Sequence, residues 1–242
     1  MSLTLDATTT VRDLVTRHPG ARRSLEALGL DVCCGGGRPV AEAAAAAGVS
    51  LSAVLAALDE DVASPSAAAE ASWATATLTA LADHIEATHH ATMRALLPRA
   101  SADLVKVLGA HGARHGERLR ALQAVFEDMR REIEMHLMKE EQILFPYIRQ
   151  MEAQVAATGT VPPMHCGTVQ NPIRQMEAEH ESAGDALAQM RALTDGYTLP
   201  ADACPTFAGL YETLQAIEAD LHAHIHKENN ILFPRAIAME GA

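Results

Sequence analysis

A chain of 242 residues, 48% of them hydrophobic, can build one good-sized core and a small additional module. Its formal charge of −12 argues against a nucleic-acid partner, which would select a basic face. Only 3% of residues are aromatic while alanine is abundant, which favours helices over sheets. The opening "MSLTLDATTTVRDLV" lacks the basic start and apolar run of a secretory leader, and no window reaches the roughly 18 apolar residues of a membrane span. Four cysteines, two of them adjacent, do not make a disulfide framework, so the expected setting is a reducing cytoplasm, away from membranes.

Residues 1–60 read as a small helical domain. "TVRDLVTRHP" and "GARRSLEALGL" carry apolar residues at helical spacing on either side of Pro19-Gly20. "CCGGG" breaks the chain, Pro39 suits the start of the next helix, and Ser50 suits the cap of the one after. Residues 61–72, "DVASPSAAAEAS", read as a linker. From Trp73 to the end, residues 73–242 hold four long helical patterns, at 73–98, 115–155, 171–194 and 205–239, with a shorter piece at 102–110. Breaks are expected at Pro98, "GAHGARHG", "ATGTVPPMHCGTVQNP" and "DGYTLPADACP". The expected fold is all-α, an antiparallel four-helix bundle with a small N-terminal helical domain.

Two segments of this bundle say nearly the same thing. "HLMKEEQILFP" (136–146) and "HIHKENNILFP" (224–234) share seven of eleven positions, including His136/His224 and Glu140/Glu228. In the fourth helix the stripe Leu210, Leu214, Ile217, Leu221 continues in steps of three and four onto His224, Glu228 and Ile231. The second helix runs Ile133, His136, Glu140, Ile143, and the third runs Ile173, Met176, His180, Ala183, Leu187. An ionised carboxylate on a buried seam costs several kcal/mol unless it is paired or metal-bound. Two glutamates and three histidines pointing inward together call for a multivalent cation, with the glutamates bridging two ions. Mixed imidazole and carboxylate donors suit iron, manganese or zinc, and a thiolate-free bundle site points to two irons first. The first helix leaves its ligand open among His84, His89 and His90. The stripe Leu78, Leu81, Ile85 projects onto 88–89, whereas Met93 and Leu97 project back onto His90, so that periodicity alone leans towards His89 without settling the choice.

With these residues in view, the chain resembles the "repair of iron centres" family of hemerythrin-like di-iron proteins. "DVCCGGG", "MKEEQILFP", "GTVQNPIRQMEAEH" and "HKENNILFP", in this order, carry the likeness over essentially the whole chain. The resemblance implies six ligands, His90, His136, Glu140, His180, His224 and Glu228, and its first-helix pattern selects His90. It implies Glu140 and Glu228 as bridging carboxylates of two oxo- or hydroxo-bridged irons, one histidine short of the respiratory hemerythrins. The implied function is repair of iron–sulfur clusters damaged by nitric oxide or peroxide, by iron donation from a labile site. Damaged iron–sulfur proteins would be the clients. A redox enzyme reducing nitric oxide or peroxide, or a sensor of oxygen or nitric oxide, is the competing expectation.

Glu132, one turn before His136, and Glu179, beside His180, are candidates to orient imidazoles or to mark an iron path. Cys33 and Cys34 precede a helix start, whose amides together with Arg38 favour thiolate. They suit transient iron binding, a vicinal disulfide or contact with a client cluster. Cys166, Cys204 and His165 read as incidental loop residues, His111 and His115 as loop residues, and His222 and His226 as facing outward. Pro146 and Pro234 are expected to kink or end their helices, and Phe145 and Phe233 to pack the bundle end. The Ala-rich N-terminal domain also offers a surface for a homodimer.

Overall fold

The computed structural model describes residues 8–18, 21–32, 35–61 and 72–241. In chain order its helices are α1 (Val11–Arg17), α2 (Ala21–Ala27), a 3₁₀ turn (Gly35–Gly37), α3 (Val40–Ala46), α4 (Leu51–Asp61) and α5 (Leu78–Ile85). A π turn (Glu86–His90) leads into α6 (Ala91–Lys139), and a second (Glu140–Leu144) into α7 (Phe145–Thr158). α8 (Gln170–Leu193) and α9 (Pro205–Lys227) follow, then a third π turn (Glu228–Leu232) and α10 (Phe233–Glu240). Contacts divide these elements into two compact units, Met1–Ala82 with Ile225–Ala242, and Asp83–His224, the division falling inside the continuous helix α9.

In the first unit, helix ends are set by short-range chemistry. Asp13 N–H donates to Thr10 Oγ1 at 3.1 Å while Thr10 N–H donates to Asp13 Oδ2 at 3.2 Å, a reciprocal cap on α1. Past the end of α3, Gly48 turns left-handed at φ 71°, which lets Val49 N–H reach Ala44 O at 3.0 Å. Ala53 N–H donates to Ser50 Oγ at 3.2 Å, the expected cap of α4, whereas Pro39 sits one position ahead of α3. Val11, Leu14, Leu25, Val32, Val40, Val54 and Leu58 fuse these short helices into one core. α1 also packs on the π turn Glu228–Leu232, and Arg235 donates to the carbonyls of Trp73 and Ala76 at 3.0 and 2.5 Å. The expected linker lies largely outside the described residues, as do Pro19-Gly20 and Cys33-Cys34.

The second unit holds long antiparallel helices. α6 is helical from Ala91 to Lys139, yet Arg94 Nη2 lies 2.6 Å from Glu141 Oε2 and Ser101 bonds Glu127. A straight helix would put Arg94 and Glu141 roughly 70 Å apart. The run therefore doubles back about its midpoint, where "GAHGARHG" was expected to break it. His111 and His115 are thus helical, not loop residues, and both rings pack on Phe207. Nor does Pro98 end a helix: it lies within α6, where burial of Leu97, Ala100 and Leu104 outweighs one missing backbone bond. Pro146 and Pro234 each take the second position of a new helix, where no backbone donor is required. Against α6, α8 runs antiparallel, with His136 bonded to Glu179 and Glu132 to Ser182.

The stripes read from the sequence are buried along α8 and α9, with Ile173, Leu187, Leu210, Leu214 and Ile217 all at 0–1% exposure. One position departs. Ile143 is 43% exposed while Leu144 takes the buried place, because the intervening π turn adds a residue and shifts the register. Phe126 and Phe145 are fully buried. Phe126→Ala should therefore cost about 3–5 kcal/mol, read as a lowered denaturation midpoint with an unchanged slope.

Candidate metal centre

Each of the three π turns touches a candidate ligand. One ends on His90, one begins on Glu140 and one begins on Glu228. A π turn holds one residue more than the α turn it replaces. Along the first helix, Leu78, Leu81 and Ile85 step inward at α spacing, His89 and His90 are both buried at the end of the π turn, and Met93 and Leu97 resume the pattern at α spacing from His90. Upstream and downstream projections disagreed in the sequence because each is valid only on its own side of that extra residue. His84 and His89 lie outside the cluster that His90 joins.

Glu140 Oε2 lies at the centre of this cluster. It is 3.3 Å from His90 Nε2, 3.4 Å from His136 Nε2 and 3.9 Å from His224 Nε2. His180 Nε2 faces His136 Nε2 at 3.1 Å. Glu228 follows His224 by one turn of the same helical run. The donor atoms form two groups, His90, His224, Glu140 and Glu228, and His136, His180, Glu140 and Glu228, each within 4.8 Å. Both groups share both carboxylates.

These residues fit two cations. Glu140 and Glu228 are fully buried, and His90 Nε2 is a buried nitrogen without a hydrogen-bond partner among the described residues. An ion taking nitrogens at roughly 2.1 Å puts neighbouring ligands roughly 3 Å apart, the spacing of the His136 and His180 nitrogens. Buried carboxylates at such a place need compensating positive charge, and Glu140 pairs with the imidazoles of His90, His136 and His224.

A ring of acids aims the imidazoles. His90 Nδ1 donates to Glu141 Oε1 at 2.7 Å, and Arg94 Nη2 holds both Glu141 oxygens at 2.6 Å. His136 Nδ1 donates to Glu179 Oε2 at 2.9 Å, with Lys139 and Gln175 on the other oxygen. Burial would raise the Glu179 carboxyl, but its donors His136, Lys139 and Gln175 outweigh that and hold it at about 2. Glu141 is lowered by the same opposition, with Arg94 and His90 prevailing over burial. Fixing Nδ1–H in this way leaves Nε2 of His90 and His136 facing Glu140. Of the two acids singled out in the sequence, Glu179 reaches a cluster histidine, whereas Glu132 accepts from Ser182 Oγ at 2.9 Å.

Glu141 escaped the sequence reading because, next to Glu140 in "KEEQ", it looks like a solvated face residue. His89 is likewise buried but pairs with Asp220 at 2.9 Å, its ring stacked 5.5 Å from that of His224. His226 overturns an expectation too. It is 1% exposed instead of facing solvent, because the first unit's own residues cover that side of the helix. Cys33 and Cys34 lie outside the described residues. Cys166 and Cys204 are part-buried free thiols, and a bond from His111 with the backbone amides of Phe207 and Thr206 lowers Cys204 to about 7.

Glu179→Gln should weaken metal binding about 10- to 100-fold by loosening the His136 imidazole, measured by chelator competition. In the metal-free protein the Glu179 carboxyl titrates below its ordinary 4.5. Its contribution to stability is therefore present above that value and lost as pH falls towards about 2, so the stability gap between parent and Glu179→Gln should close over that window.

Comparison with known proteins agrees with this geometry. Residues 83–236 match the hemerythrin HHE cation binding domain, and residues 7–62 match a domain of unknown function. The iron-sulfur cluster repair protein YtfE of Enterobacter sp. (strain 638) is 34% identical over 228 residues, 94% of this chain and 96% of its own. YtfE of Escherichia coli O157:H7 is 33% identical with the same coverage. A Haemophilus influenzae protein named "Probable iron-sulfur cluster repair protein" is 34% identical over 93% of this chain and 95% of its own. The chain belongs to the hemerythrin HHE family and, within it, to the repair-of-iron-centres group of iron–sulfur cluster repair proteins.

Proposed function

We propose that this protein restores damaged iron–sulfur clusters by giving up iron held between His90, His136, Glu140, His180, His224 and Glu228. In this reading residues 73–242 are the iron-holding bundle, residues 61–72 a linker, and residues 1–60 a domain whose Cys33 and Cys34 receive the released iron. The observation that carries it is the sharing of Glu140 and Glu228 by both histidine pairs, which suits two irons bridged by carboxylates. Repair as the purpose is supported by the names of the relatives, which align over nearly their whole length.

Iron here is the cargo, and the chain's residues hold it with restraint. Four neutral imidazoles and two carboxylates supply too few donors to fill two octahedral ions, so solvent-derived ligands complete the site. Two carboxylate charges also stand against two multivalent cations. One-electron reduction of the cargo by an external electron donor would weaken its attraction to Glu140 and Glu228, while the apolar seam shields the ligands from competing water. Glu141 and Glu179 keep the imidazoles aimed after an ion departs, so the site can be refilled without repacking. No single helix among the described residues is long and apolar enough to cross a membrane. Clients would be iron–sulfur proteins sharing the cytoplasm.

The test mixes iron-loaded protein with an enzyme whose cluster has been destroyed by nitric oxide. About two irons per chain should be present at the start and should leave as client activity returns. Glu140→Ala should lose both ions because both groups use it, while His180→Ala should keep the ion nearest His90 and His224. Consumption of nitric oxide with no loss of iron would overturn donation.

A further inference from the structure

His89 is 4% exposed, yet it takes no part in the donor cluster that its neighbour His90 joins. Its Nδ1 lies 2.9 Å from Asp220 Oδ1, the same carboxylate hold that Glu141 gives His90 and Glu179 gives His136. An imidazole that donates Nδ1–H to a carboxylate keeps a lone pair at Nε2, and this arrangement is typical of histidines that bind cations. On His90 and His136 that nitrogen faces Glu140. On His89 it is buried and has no hydrogen-bond partner among the described residues, and neither has Asp220 Oδ2. Buried polar atoms left unpaired are costly, and an apolar pair would fill the same space without that cost.

Three imidazole rings form a file here. His224, a buried member of the cluster, lies within 7° of parallel to His89 at a centroid distance of 5.5 Å. His89 in turn meets His84 edge-on, at 5.8 Å and 85°. On a regular α-helix, residues five apart point roughly 140° away from each other. The π turn Glu86–His90 lies between His84 and His89, and its extra residue narrows that angle. His224 and His89 are buried whereas His84 is half-buried, and all three, with Asp220, belong to the unit Asp83–His224.

We propose that His89 is a relay ligand for a divalent cation, its Nδ1 held by Asp220 and its Nε2 taking the ion between the buried cluster and His84. Passage exchanges one imidazole for another, so no electron or proton has to move. That the ion is iron on its way to a client rests on the reading given under the proposed function. The relay itself requires only that an ion enter and leave.

The test loads the full-length chain with Fe(II) without oxygen, follows extraction by bipyridine, and then follows Fe(II) uptake by the emptied protein. A residue on the path changes the barrier and not the end states, so both rates should fall together. His89→Gln keeps a donor for Asp220 but loses the imidazole, and should slow extraction and uptake about tenfold at unchanged affinity. Asp220→Asn, which removes the carboxylate hold, and His84→Ala should act in the same direction. A histidine that only supports the fold would instead give faster extraction and weaker binding. That result, or rates within about twofold of the parent in His89→Gln or His84→Ala, would overturn the proposal. If His89→Gln fails to fold, Asp220→Asn and His84→Ala decide on the same two rates. A parent that repairs no damaged client, yet whose variants exchange Fe(II) slowly, would sink the donor reading and leave the relay standing.

Discussion

Two carboxylates with no solvent exposure, Glu140 and Glu228, constrain everything else in the bundle. A buried negative charge must be offset locally or it destabilises the fold, and in this seam the surrounding donors are imidazoles. From the centre outward the chemistry is graded. Carboxylates and Nε2 atoms face one another at the centre of the cluster, the Nδ1–H groups of His90 and His136 point to Glu141 and Glu179, and Arg94 and Lys139 hold those acids. Each layer fixes the orientation of the one inside it. The same gradation keeps the acids ionised, because cationic donors counter the burial that would otherwise protonate them.

The π turns are how the backbone accommodates that centre. An α-helix places inward residues every three or four positions, and a ligand set by that rhythm alone would leave the following apolar stripe rotated away from the core. One extra residue at each ligand resets the register. After Glu140 the buried positions become Leu144, Phe145 and Ile148, and after Glu228 the chain stays buried through Phe233, with Ala236 buried again one turn on. π turns have weaker hydrogen-bond geometry than the α-helix and are retained where function needs them. Three of them fall at three residues of the proposed ligand set, His90, Glu140 and Glu228.

The third π turn also serves the N-terminal unit. Asn230 and His226 are both buried there. Asn230 bonds to His226 and to the Val32 carbonyl and lies against Gly36, all within the first unit. Sequence identity of 33–34% to repair proteins extends over both parts of the chain.

Local periodicity was enough to reveal the helical class, the inward stripes of α8 and α9, and the spacing that stacks His136 over Glu140 and His224 over Glu228. These depend only on residues three or four apart on one helix. It could not choose His90 over His89, or foresee that Leu144 would be buried and Ile143 exposed, because an inserted residue is invisible to a pattern that assumes constant pitch. Pro98 misled for a related reason: its local cost is real, but burial of its neighbours outweighs it. Glu141 on His90, Asp220 on His89, Ser182 on Glu132 and Val32 on Asn230 were decided by the tertiary structure alone. Those partners lie from 50 to 198 residues apart in the chain, and only packing brings them together.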